Sequence, residues 1–130
     1  MQVGISSGLI ETIIGLAAAD PTREVCGLLL GSGDRIEEIV PATNVAADPS
    51  CRFEVDPAVQ FATLRGTRAG GGAVVGCYHS HPSGRAEPSP TDKAMIGRVG
   101  ELWLICAGGR VRCWVAHTLN SFAEVELVAR

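Results

Sequence analysis

Ala73-Val74-Val75-Gly76-Cys77-Tyr78-His79-Ser80-His81-Pro82 runs from apolar residues straight into two histidines with one residue between them. A short apolar run bounded by Gly70 to Gly72 on one side and Pro82 on the other reads as a buried strand. Side chains two apart on a strand leave by the same face. The two imidazoles are therefore aimed at one spot, and Ser80 points away from them. Asp92 follows eleven residues after His81, beyond a loop rich in Pro, Ser and Gly that can fold it back onto that spot. Two imidazoles and one carboxylate leave the fourth position of a tetrahedral zinc open, the arrangement of a catalytic rather than a structural ion.

Outward from this strand the pattern alternates between helix and strand. Leu9 to Ala19 carries apolar residues at helical spacing and stops at Asp20-Pro21. Val25 to Leu30 reads as a strand buried on both faces, and Gly31-Ser32-Gly33-Asp34 turns it into Arg35 to Pro41. Asp56-Pro57 opens a second helix, with Asp56 as cap and Pro57 at the first position, running to about Ala69. Ser89-Pro90-Thr91-Asp92 starts a third, expected to reach about Val99. The rest reads as strands: Leu102 to Cys106, Val111 to Ala116 and Phe122 to Val128. Three helices and six or seven strands in mixed order favour an α/β fold with a curved, largely antiparallel sheet. No repeat, linker or low-complexity tract divides residues 1–130, which are read as one domain.

Composition narrows the function classes. A net charge of −3 and the absence of a basic block argue against a nucleic-acid binder that neutralises phosphates. No apolar run approaches the roughly 20 residues that span a bilayer. The N-terminal Met1 to Ser7 lacks the charge and apolar stretch of a signal peptide. Five cysteines form no C-x-x-C pair, and four of them lie inside apolar runs, which fits a reducing cytoplasm. Cys51, in the polar loop before Arg52, is expected to be exposed.

Each candidate site residue has a plainer reading. A His-x-His pair at a strand end can simply face solvent. Ser89 as N-cap, Pro90 at the first helical position and Asp92 at the third form a capping-box pattern that needs no metal. Spacing leaves the two readings of Asp92 balanced, and a carboxylate that ligates is expected to serve the cap poorly. Glu24 reads as a solvated strand-edge carboxylate beside Arg23. His117, with no partner motif, reads as structural.

Together, Glu24, His79-Ser80-His81-Pro82 and Ser89-Pro90-Thr91-Asp92 resemble the JAMM motif of the MPN (Mov34/PAD-1) metallopeptidase family, with every position filled. Glu24 to Gly31 and Arg52 to Pro57 resemble small prokaryotic members as well, so the likeness covers about residues 3 to 117. It implies an α/β fold with a curved sheet flanked by helices, and one zinc held by His79, His81 and Asp92. It further implies Glu24 as general base and Ser89 as a donor to the developing oxyanion. The activity implied is hydrolysis of a peptide or isopeptide bond after the Gly-Gly tail of a ubiquitin-like or sulfur-carrier protein. Arg85 and Glu87 lie in the loop beside the site, either touching substrate or solvated. An inactive MPN scaffold and a zinc-stabilised interaction module remain the alternatives. A structural zinc normally takes four protein ligands, and the spare candidates Cys77 and Cys106 sit in apolar strands.

Overall fold

A computed structural model describes residues 1–130. The elements in chain order are β1 (Gln2–Ile5), α1 (Ser7–Ala19), β2 (Cys26–Ser32), β3 (Arg35–Ala42) and α2 (Pro57–Arg68). They continue with β4 (Ala73–Ser80), α3 (Pro90–Ala94), β5 (Leu102–Ala107), β6 (Arg110–Thr118) and β7 (Ser121–Ala129). The strands form one mixed sheet in the order β1-β3-β2-β4-β5-β6-β7, curved far enough to close on itself. Four neighbouring pairs are antiparallel, and β1–β3, β1–β7 and β4–β5 are parallel. The closure uses β1, whose four residues pair with β7 on one side and meet β3 at Gly4 and Arg35 on the other. No helix is long and apolar enough to cross a membrane.

The alternation of β4 sorts its side chains between two apolar layers. Tyr78 joins Val3, Ile5, Leu29, Leu104 and Cys106 in the main core, closed by Ile13 of α1. Cys77 and His79 face the opposite layer, where Phe53, Val55 and Trp103 pack against Cys26 and Leu28. A Cβ on Gly76 would lie 1.7 Å from the Leu102 carbonyl oxygen, so only glycine lets β4 run this close to β5. That contact sets the register His79↔Ile105 and brings the histidine end of β4 to the rim of the sheet.

α1 begins where Ser6 accepts the Leu9 N–H, two residues ahead of the expected start. α2 is capped by Asp56, which accepts the Ala58 N–H, with Pro57 at its first position. α3 is shorter than the run to Val99 read from the sequence. It stops at Ala94 because Met95 turns its N–H back to the Asp92 carbonyl, and Gly97 donates to the Glu101 carboxylate instead of continuing the helix.

Candidate metal centre

The loop from His81 to Ser89 is folded by a few specific contacts. Gly84 donates to the His81 carbonyl at 3.1 Å. Ala86 is buried beside Ile105 and Ala107, and its carbonyl accepts the Trp114 Nε1–H at 3.1 Å. The chain is thereby returned to the sheet rim, and α3 begins with Asp92 turned toward the two histidines. Ser89 accepts the Asp92 N–H at 3.0 Å, and Asp92 Oδ2 accepts the Ser89 N–H at 2.9 Å, a complete capping box. The same Oδ2 lies 3.0 Å from His81 Nε2 and 3.2 Å from His79 Nε2, and Oδ1 lies 3.2 Å from His79 Nε2. Capping and convergence on the imidazoles are thus not exclusive here. The cap fixes the rotamer that aims the carboxylate.

Glu24 completes the group. The ligand atoms of Glu24, His79, His81 and Asp92 all lie within 4.8 Å of one another. Glu24 is 4 % exposed, His79 0 %, His81 8 % and Asp92 1 %, so neither the strand-end histidines nor Glu24 is solvated. Glu24 makes no ion pair with Arg23. Its main chain is gripped on every side: its N–H donates to the Pro49 carbonyl at 2.7 Å, and its carbonyl accepts from Asn44 Nδ2 at 2.8 Å. Ser80, on the opposite face of β4 from the histidines, accepts the Val25 N–H at 2.9 Å and donates to the Arg23 carbonyl at 3.4 Å. It fastens the backbone on both sides of Glu24.

The donor set asks for a cation. His81 Nδ1 lies 2.6 Å from the Arg85 carbonyl, which can only accept, so Nδ1 carries the proton. The Nε2 lone pair is then free to face the cluster, as in a metal-binding histidine held by an outer carbonyl. His79 is oriented by packing instead: its ring stacks on Phe53 at 4.3 Å and meets Trp103 edge-on at 5.4 Å. The two Nε2 atoms are 2.9 Å apart, near the separation of about 3.3 Å for nitrogens on a tetrahedral zinc. Glu24 Oε1 is buried with no hydrogen-bond partner. Two carboxylates and two imidazole nitrogens converging in a buried space, with one carboxylate oxygen unsatisfied, fit a divalent ion.

Electrostatics agree with this. Burial pushes the Glu24 carboxyl up to about 7, with His81 pulling it down and Asp92 adding to the rise. Burial opposes ionisation of Asp92 too, but the hydrogen bonds from His79 and His81 prevail and hold it well below the usual carboxylate range. Burial lowers His79 despite Asp92, whereas at His81 the Asp92 and Arg85 contacts outweigh burial and raise it. The sign for Glu24 gives a prediction. Its folded value lies above the usual 4.5, so the stability it contributes without metal is complete below about pH 4.5 and is lost as pH rises through about 7. Glu24→Gln carries no such dependence. In chelator, the variant is expected to exceed wild type by roughly 2 kcal/mol at pH 8, the gap closing toward pH 4.5. Denaturant unfolding at the two pH values checks this, and a gap independent of pH would contradict it.

A cleft of about 350 Å³ opens over Glu24 and His81, walled by Ser50 and Cys51 on one side and by Arg85 and Glu87 on the other. Cys51 is exposed, its thiol 2.9 Å from Asp48 Oδ2. Glu87 lies 3.6 Å from Arg112. His117 is exposed on β6 and takes no part in the cluster. A second groove of about 320 Å³ lies across Phe53 and Trp103, the residues that orient His79. Asn44, a lone amide in a polar loop, carried no sequence signal, and Phe53 stood out only within the Arg52 to Pro57 likeness, with no role attached.

A buried cluster of two imidazoles and two carboxylates, at the rim of a curved α/β sheet and opening into a cleft, defines a metal-dependent hydrolase. The chain belongs to the family described as prokaryotic homologs of the JAB domain, which matches residues 6–117. It is 40% identical over 116 residues to a desampylase of Haloferax volcanii, covering 85% of this chain and 81% of that one. It is 32% identical over 90 residues to a CysO-cysteine peptidase of Mycobacterium tuberculosis, covering 68% and 61%. A solved structure described as a JAMM metalloprotease-like zinc site in the proteasome and signalosome superposes with a TM-score of 0.61. The sequence identity is 25%, over 98% of this chain and 99% of that one. The family, the fold and the peptidase class implied by the motif are thereby shown.

Proposed function

We propose that the protein is a zinc peptidase that cuts the peptide or isopeptide bond following the Gly-Gly tail of a ubiquitin-like or sulfur-carrier protein. The observation that carries the reading is the Glu24, His79, His81 and Asp92 cluster, buried yet open to one cleft. His79, His81 and Asp92 would hold the zinc, offering two imidazole nitrogens and a carboxylate. Zinc held there supplies a Lewis acid and lowers the pKa of water toward neutrality.

Glu24 is the general base. Its free, buried Oε1 takes a proton from the attacking water and delivers it to the departing amine. Ser89 Oγ uses a lone pair for the Asp92 N–H, which leaves its O–H proton free to donate to the oxyanion. No acyl-enzyme is required, because Glu24 activates water directly.

Two features support a thin tail on a folded partner. The reacting groups are nearly sealed from solvent, so the segment that reaches them must pass a narrow approach, and glycine has no Cβ to obstruct it. On α2, Phe61 is 62 % exposed and Leu64 46 % exposed, on the helix whose Pro57 and Gln60 line the second groove. That apolar surface suits the body of a protein rather than a free small amide. The relatives named for desampylation and for CysO-cysteine cleavage favour the same substrate class. The test uses a ubiquitin-fold sulfur carrier extended beyond its Gly-Gly by a reporter peptide. Cleavage immediately after the second glycine is expected, abolished by chelation and restored by zinc. Replacing the final glycine with leucine is expected to reduce kcat/KM by about 100-fold or more. Cleavage insensitive to chelation or to that replacement would overturn the reading.

A further inference from the structure

The Asn44 carboxamide is saturated. Nδ2 donates to the Glu24 carbonyl at 2.8 Å and to the Arg52 carbonyl at 3.0 Å. Oδ1 accepts from the Ala46 N–H at 3.0 Å and from the Glu54 N–H at 3.1 Å. Two donors and two lone pairs are the whole capacity of an amide side chain. Three of the four bonds close the loop onto itself, beside the backbone bridge between Asn44 and Val55 and the Val45 N–H to Glu54 carbonyl bond at 3.0 Å. The fourth leaves the loop and takes hold of Glu24.

That loop is also the cleft wall, since it supplies Ser50 and Cys51. Glu24 is bound to it at both ends of its own residue, by the N–H at Pro49 and by the carbonyl at Asn44. The Glu24 Oε1 has no hydrogen-bond partner that could fix the carboxylate from its own end. The direction in which it points is therefore set by the backbone, and the backbone is set by the loop. We infer that Asn44 is a positioning residue: its carboxamide couples the substrate-facing loop 44–55 to the proton-transferring carboxylate of Glu24.

The inference rests on Glu24 acting as general base. Its test is steady-state cleavage of the Gly-Gly reporter by Asn44→Asp and Asn44→Ala, with metal content and thermal unfolding measured on the same samples. Asn44→Asp keeps an oxygen for the Ala46 and Glu54 N–H groups but sets a second oxygen against the Glu24 and Arg52 carbonyls. Two of the three loop bonds stay, together with the backbone bridge to Val55, while the Arg52 bond and the hold on Glu24 are lost. We expect kcat to fall about 100-fold, with KM within about twofold of wild type and metal content unchanged. Asn44→Ala releases all four partners, so kcat is expected to fall and KM to rise together. A wild-type kcat in Asn44→Asp overturns the assignment. So does a loss of activity that only follows a loss of fold or metal, which would make Asn44 a structural staple. Activity retained in Glu24→Gln would instead remove the reading on which the inference rests.

Discussion

Glu24→Gln is expected to lower cleavage of a Gly-Gly-extended substrate by about 1000-fold while leaving the fold and the metal content intact. The substitution changes one atom type at a position where shape is tightly held, since Glu24 is 4 % exposed and its main chain is bound to Pro49 and Asn44. Gln places an amide where the carboxylate stood. It cannot take a proton from water or return one to an amine, so the transfer must find another route. The remaining groups of the cluster, His79, His81 and Asp92, are committed to one another. Without metal, burial resists ionisation of this carboxyl, so its neutral replacement does not cost stability at neutral pH. The comparison is made by steady-state kinetics with metal content measured on both proteins. Full activity in the variant would show that proton transfer does not run through Glu24.

The second large effect separates the two tasks of Asp92. Asp92→Asn keeps an oxygen for the Ser89 N–H and so retains most of the cap, but it removes the charge that faces the two imidazoles. Ser89→Ala does the reverse: it removes the oxygen that accepts the Asp92 N–H and leaves the carboxylate. For Asp92→Asn, metal content is expected to drop from about one ion per chain to a small fraction, and cleavage to background. For Ser89→Ala, metal is expected to remain. Stability falls by about 1 kcal/mol from the lost cap, and kcat falls on the order of 100-fold from the lost oxyanion donor. Elemental analysis, thermal unfolding and kinetics on the two variants make the comparison. Equal metal in wild type and Asp92→Asn would mean that this carboxylate serves the helix start alone.

The alternation of β4 and the Asp56-Pro57 helix start were legible because each depends on residues adjacent in the chain. His79 and His81 share a face because they are two apart, and Ser80 faces away for the same reason. The competition between capping and ligation at Asp92 was legible only as a choice. Resolving it needed the angle at which α3 meets the sheet, which depends on Ala86 lodging beside Ile105 and Ala107. The closing strand β1 was not assigned, since its four residues pair with β7 and β3, near opposite ends of the sequence order. The burial of Glu24 was hidden for a similar reason: Asn44 and Pro49 of one loop and Ser80 at the end of β4 enclose it from two separate stretches. Asn44 itself spends its whole capacity on backbone groups, and such bonds leave no mark on the spacing of side chains.

The most direct test of a metal-dependent hydrolytic centre is the zinc content of the wild-type chain, purified without added metal and measured by elemental mass spectrometry. About one zinc per chain is expected. No zinc in the purified protein, and none taken up on titration at neutral pH, would contradict it and leave the four convergent side chains without a chemical purpose.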